Sequence, residues 1–312
     1  MKKLYISVLM LLMLSFAAST ATYAWLGLAT TNTVKDISLT TYLGNELEIS
    51  LDGINYYQNL PSDLMMELVG DVVLKDITSD DGKTFSFGLR EKAGTPKKNQ
   101  DYISMDFYFR TTSVFAHYVY LSNNTTLMST YDFPLKGSYV VSQGRNWISD
   151  MSFQYSKDKM MNKGDLGKFY ISDAMRVSFI EHRLNEQDER TNLSQKIFDL
   201  SGNEERGFGK AYGAHDYYNK IKSFVAVPSL IPNTVYEFSE FSTTGPFAFD
   251  KRSEILTLIK TDQKDLNGMS YYKGRLTMNI WVEGWDADLF DAVFGDLVKM
   301  QFEFKAVHGI KA

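Results

Sequence analysis

Residues 275–304 read RLTMNIWVEGWDADLFDAVFGDLVKMQFEF, and both halves of the stretch keep a two-residue rhythm. Leu276, Met278, Ile280 and Val282 are apolar, with Thr277 and Asn279 between them. Val298, Met300, Phe302, Phe304 and Ala306 repeat the pattern against Lys299, Gln301, Glu303 and Lys305. Side chains on a strand alternate between faces, so this predicts two strands, each apolar on one side and wet on the other, as antiparallel sheets allow. Between the two strands crowd Glu283, Asp286, Asp288 and Asp291. The expected reading is a tight connection. Trp281, Glu283 and Gly284 close the first strand and Trp285 tucks beneath the turn. Asp286, Asp288 and Asp291 then cap one or two helical turns over DADLFDAVFG, which Gly295 stops. On that reading the acids form a solvated rim.

The competing reading of the same acids is a metal or acid–base site. Asp286 and Asp288 match the first spacing of an EF-hand loop, but Phe290 stands where the third ligand belongs and no glycine follows. A looser calcium site of carbonyls and carboxylates stays open. The four histidines, His117, His182, His215 and His308, form no HExxH and no i, i+4 pair. No G-x-S-x-G, phosphate-binding loop or dinucleotide fingerprint occurs, and no cofactor is expected. Aromatic residues make up 14% of the chain, with Tyr56-Tyr57, Tyr217-Tyr218 and Tyr271-Tyr272 as doublets. Neighbours on a strand face opposite ways, so each doublet is expected to keep one ring inside, and a sugar-binding aromatic face is a minority alternative.

Elsewhere, alternation and β-branched or aromatic content mark strands at Ile37–Leu43, Glu46–Leu51, Phe85–Leu89, Ile103–Arg110, Phe115–Leu121, Arg176–Ile180 and Ile255–Ile259. Ser62 is placed to cap a short helix over Asp63–Val69. The charged, glycine-punctuated region around 185–222 looks like a long loop-rich insertion. Many strands and few helices predict an all-β fold, an antiparallel β-sandwich of jelly-roll type.

Lys2 and Lys3 precede an apolar run from Leu4 to Ala18 and small residues up to Ala24, the layout of a signal peptide over residues 1–24. An uncleaved membrane anchor is the alternative, and it is the one route by which this chain is expected to meet a membrane. Residues 25–312 then form the sandwich domain, exported to the cell surface or the extracellular space. A net charge of −5 gives no basic footprint for nucleic acid. With no cysteine, disulfides, thiolate metal sites and a cysteine nucleophile are excluded. A composition that is 44% hydrophobic with six prolines is globular, so core burial alone must hold the fold.

Three stretches together resemble the TasA/camelysin group of exported proteins from Gram-positive bacteria. ATYAWLGLATTNTVKDISL is similar to that group's leader exit and first mature strand, LGNELEISLDG to the strand that follows, and VKMQFEFKAV to the closing strand. The resemblance covers the two chain ends, roughly a quarter of the chain. It implies a jelly-roll sandwich and, in TasA-like members, a biofilm-matrix fibre in which each subunit donates its N-terminal strand to the next. Camelysin-like members have been called metallopeptidases, but no zinc motif is present here. Thr30–Thr40 suits such donation: it is β-prone and offers Val34, Ile37 and Leu39 as pocket-filling side chains. Pairing within its own domain is the equal alternative. The expected partners are therefore further copies of the chain or other surface proteins. The expected role is structural, with a secreted hydrolase or metallopeptidase, or a carbohydrate or host adhesin, as alternatives.

Overall fold

The computed structural model describes residues 32–41, 47–70, 72–89, 94–123, 130–133, 136–222 and 226–310, together with Met10. The leader reading over 1–24 and the end of the expected strand Ile37–Leu43 lie outside the described residues. The principal strands are β1 (Asn32–Thr41), β2 (Glu48–Ser50), β3 (Ile103–Thr111), β4 (Tyr118–Ser122), β5 (Tyr139–Ser142), β6 (Met175–His182), β7 (Gln195–Phe198), β8 (Glu254–Thr257), β9 (Ser270–Glu283) and β10 (Leu297–Val307). Two α-helices, α1 (Ser62–Val69) and α2 (Ala214–Lys222), complete the main elements.

The strands form two large sheets. One runs β8-β4-β10-β1, with β5 sharing the β4 side of β10 and the short strand Asn59–Leu60 outside β1. The other is centred on β9, which pairs antiparallel with β6 on one side and β3 on the other. Their inner faces meet in one apolar core. Phe109 of β3 contacts Phe304 of β10 edge-on at 5.2 Å, and Phe179 of β6 reaches both Phe302 and Phe304. The alternating residues Leu276, Met278, Ile280 and Val282 are fully buried, as are Val298, Phe302, Phe304 and Ala306. Each of these side chains larger than alanine contributes about 1.5–3 kcal/mol by leaving water, so the rhythm of the opening stretch is what closes the sandwich.

The sandwich stands, and its sheets are mixed rather than purely antiparallel. β1 runs parallel to β10, from Thr33 beside Leu297 to Thr41 beside Phe304. Shorter parallel pairs join β7 to Thr234–Val235, β9 to Asp76–Thr78, and Phe247–Ala248 to Gly309–Ile310. A bulge between Val34 and Asp36 resets the phase of β1. It lets Val34, Ile37 and Leu39 all point inward although the first two are three residues apart.

Three local expectations change. The outer face of β9 is wet only in part: Asn279, Trp281 and Glu283 are buried. The Ser79–Gly88 segment covers them, with Asn279 and Ser178 both donating to the Gly82 carbonyl and Phe85 meeting Trp281 edge-on at 5.3 Å. Ser62 is the first residue of α1 rather than its cap, and Pro61 precedes it. The region 185–222 is more than an excursion, because it supplies β7 to the second sheet and α2, whose Tyr217 and Tyr218 are both buried. That doublet breaks the one-ring-inside expectation because it lies on a helix, not a strand.

Candidate functional site

The acids of the opening stretch occupy the end of the sandwich where residues 145–222 fold over it. Phe290 sits at the centre of that cover, ringed edge-on by Trp147, Phe153, Tyr155 and Phe169 at 5.0–6.2 Å. Burying Phe290 carries its neighbours in as well. Glu283 and Asp286 are 1% exposed and Asp288 7%, which overturns the expected solvated rim at those three positions, while Asp291 stays exposed. Two arginines from distant parts of the chain make the burial tolerable. Arg176 on β6 pairs with Asp286 and, at 2.8 Å, with Asp199 just after β7. Arg206, in the short 3-10 turn Glu204–Arg206, pairs with Asp288 at 2.6 Å and lies 3.8 Å from the centre of the Tyr155 ring.

The rest of the turn is satisfied locally. Glu283 accepts from the Trp281 indole at 2.9 Å and from the Trp285 backbone N–H at 3.1 Å. Asp286 accepts from the Asp288 backbone N–H at 2.8 Å, which shapes a turn rather than capping a helix. The only helical piece is the 3-10 turn Asp291–Val293, and Asp291 accepts from the hydroxyls of Tyr217 and Tyr218. Gly284 is required by crowding, since a Cβ there would stand 2.1 Å from an Asp76 carboxylate oxygen and 2.5 Å from Gly88. Trp285 is half-buried against the core.

Charge is unbalanced in this end of the molecule. Burial pushes the carboxyls of Asp286, Asp288, Asp199 and Glu283 above their ordinary range, and the arginines pull them back only in part. Burial would lower the Arg176 guanidinium, yet Asp199 and Asp286 outweigh it and raise it. Asp173 lies at the edge of this network. Burial first, then the negative charges of Asp288 and Asp199, push its carboxyl up to about 7.

Asp173 also lines a surface cleft of about 630 Å³, within the size range of ligand sites. One wall is β5, with Ser138 to Gln143 lining the cleft consecutively. Residues from both faces of a strand line a cavity together when it runs along the strand's edge. Among the described residues no strand pairs with that edge of β5. Tyr170 also lines the cleft, its ring lying against Gly144 just past the end of β5, whose φ of +78° and missing Cβ make room for it. Ser142 and Ser172, both lining residues, are hydrogen-bonded to each other at 3.2 Å. No spacing signal in the sequence marks this cleft, because its walls come from six separate segments.

The remaining candidates lie apart. On the outer face of the second sheet His182 bonds Thr277 at 2.7 Å, and Thr277 donates to Asp106. The hydroxyl thus stands between imidazole and carboxylate, the reverse of a nucleophile activated by a histidine base. His117 stacks on Tyr272 at 4.6 Å, while Tyr271 turns the other way and, with Tyr56, sandwiches the Arg110 guanidinium. Among the described residues no group of three or more histidine or acidic side chains is arranged to hold a metal ion. Among them, too, no helix is long and apolar enough to cross a membrane.

Val34, Ile37 and Leu39 are buried in their own molecule, with β1 seated between β10 and the strands Asn59–Leu60 and Val73–Leu74. Asn32 fixes the start of the seat, its side-chain oxygen accepting from the Gly295 and Asp296 N–H groups. Comparison with protein-family models, with curated proteins and with solved structures gives no match to this chain.

Proposed function

We propose that this chain is an exported structural protein of the cell surface or extracellular matrix, and that it assembles into fibres by exchanging β1 between copies. The observation that carries the reading is the seat of β1. It is an extended slot with main-chain partners along β10 and buried positions for Val34, Ile37 and Leu39. The same strand from a neighbouring copy would fill it with identical contacts, and such head-to-tail exchange propagates without closing. The hydrolase alternative loses support from the acids, because Glu283, Asp286 and Asp288 are spent on internal partners and lie away from solvent.

Ser38 and Gln301 are paired neighbours across β1 and β10, their side chains 3.2 Å apart. In a chain without cysteine, Ser38→Cys with Gln301→Cys therefore reports which molecule fills the slot. Protein starting at Trp25 is concentrated, imaged by electron microscopy, oxidised and run on a non-reducing gel. Filaments with a covalent ladder are expected. Single particles with only intramolecular cross-links at high concentration would end the exchange reading.

The cleft beside β5 favours a second reading, an adhesin for neutral glycans. Tyr170 offers a ring face, and serine hydroxyls and the Asp173 carboxyl offer hydrogen bonds, with little net charge around them. A glycan panel tests it: binding that Tyr170→Ala abolishes supports the reading, and no binding to any glycan removes it.

A further inference from the structure

The pairing of β1 with β10 has a mechanical meaning that the assembly reading does not contain. β1 is the first long strand of the described chain and β10 the last, and they lie side by side pointing the same way. Chain enters β1 at Asn32, at the end of the pair where β10 begins, and leaves β10 after Val307, at the opposite end. A pull applied through the flanking chain therefore drags the two strands past each other along their own axes. In that geometry every main-chain hydrogen bond across the pair bears load together. Antiparallel terminal strands, by contrast, would open one bond at a time from a shared end.

We infer that the β1–β10 pair is a shear clamp, and that resisting tension between the two ends of the chain is a function of this fold. Three further features fit a load-bearing joint. β10 is gripped on its other edge by β5 at Val298–Gln301 and by β4 at Glu303–Val307, so it cannot swing out of the sheet. The inward side chains of β1 would have to be dragged through the packed core, since Ile37 and Leu39 are fully buried. Polar ties cross the seam as well, from Asn32 to Gly295 and Asp296 at its start and from Ser38 to Gln301 in its middle. The two-residue pair of Gly309–Ile310 with Phe247–Ala248 lies beyond the clamp and yields before it.

The inference deepens the structural role proposed above and rests on it only for its use; the joint is read on single monomers, whether or not copies exchange strands. Single-molecule force spectroscopy compares two pulling directions on the same fold. In the first, handles attach to the chain before Asn32 and after Ile310. In the second, the later handle moves to a lone cysteine made by Lys163→Cys, at an exposed turn of the cover that sits at the Asn32 end of the pair, so that the seam opens from Asn32 onward. The terminal direction is expected to give one main rupture at a force at least about twofold higher, because its hydrogen bonds break together and not in sequence. Equal or lower force in the terminal direction, or rupture in several small steps there, would overturn the clamp. Either result leaves the gel and microscopy outcome for strand exchange unchanged.

Discussion

At the scale of residues, the molecule's end is governed by proton and charge balance. The carboxyl of Asp173 sits at about 7 when folded and near its ordinary 3.8 when unfolded, so folding takes up a proton. That contribution favours the native state at low pH and is lost as pH rises toward 7. Asp173→Asn should therefore stabilise the protein by about 2 kcal/mol at pH 8, after allowance for solvent screening of a partly exposed group. The gain should vanish below pH 4, and urea titrations at both pH values check it. Arg176 works in the opposite sense. Arg176→Met leaves Asp199 and Asp286 buried without their cation, with an expected cost of about 3–5 kcal/mol. Adding Asp199→Leu and Asp286→Leu should restore most of that, which denaturant unfolding of the series would show. The acids themselves were legible in the sequence, but their burial was not. Arg176 and Asp286 stand 110 residues apart and Arg206 and Asp288 82 apart, and nothing local to either partner announces the other.

Among the elements, the legible part is the part with a free face. β10 up to Gln301 and the first half of β9 alternate in sequence because core lies on one side and a half-exposed face on the other, whereas Glu303 is buried against Ser122. From Asn279 onward β9 is covered on both sides, by core and by the Ser79–Gly88 segment, so a polar residue there no longer signals solvent. The parallel partner of β1 was equally hidden, since main-chain pairing of two distant segments leaves no mark in either. What β1 does show is anchors, and they set its energetics. Ile37→Ala is expected to cost about 2–5 kcal/mol, the usual range for emptying a packed core position. A substitution at exposed Asp36 on the bulge, such as Asp36→Ser, should stay within about 0.5 kcal/mol. Thermal unfolding of the two variants side by side separates the core contribution of β1 from its surface.

For the molecule as a whole, β10 is the keystone of the first sheet, with β1 on one edge and β4 and β5 on the other. Chain terminated before Leu297 should lose fixed tertiary structure throughout, seen as a collapsed near-ultraviolet dichroism signal and rapid proteolysis, because both sheets share one core. The same seam also dictates a timetable. Asn32 leaves the ribosome tens of seconds before Leu297 does at about 5–20 residues per second. Until then β1 has only its short partners Asn59–Leu60 and Val73–Leu74, and joining it to β10 closes the long loop from Thr41 to Leu297, an ordering cost that must precede any reward. The first sheet is thus kept open until residues 297–307 have been made, so the polypeptide between the two strands must wait unclasped and its consolidation falls late in synthesis.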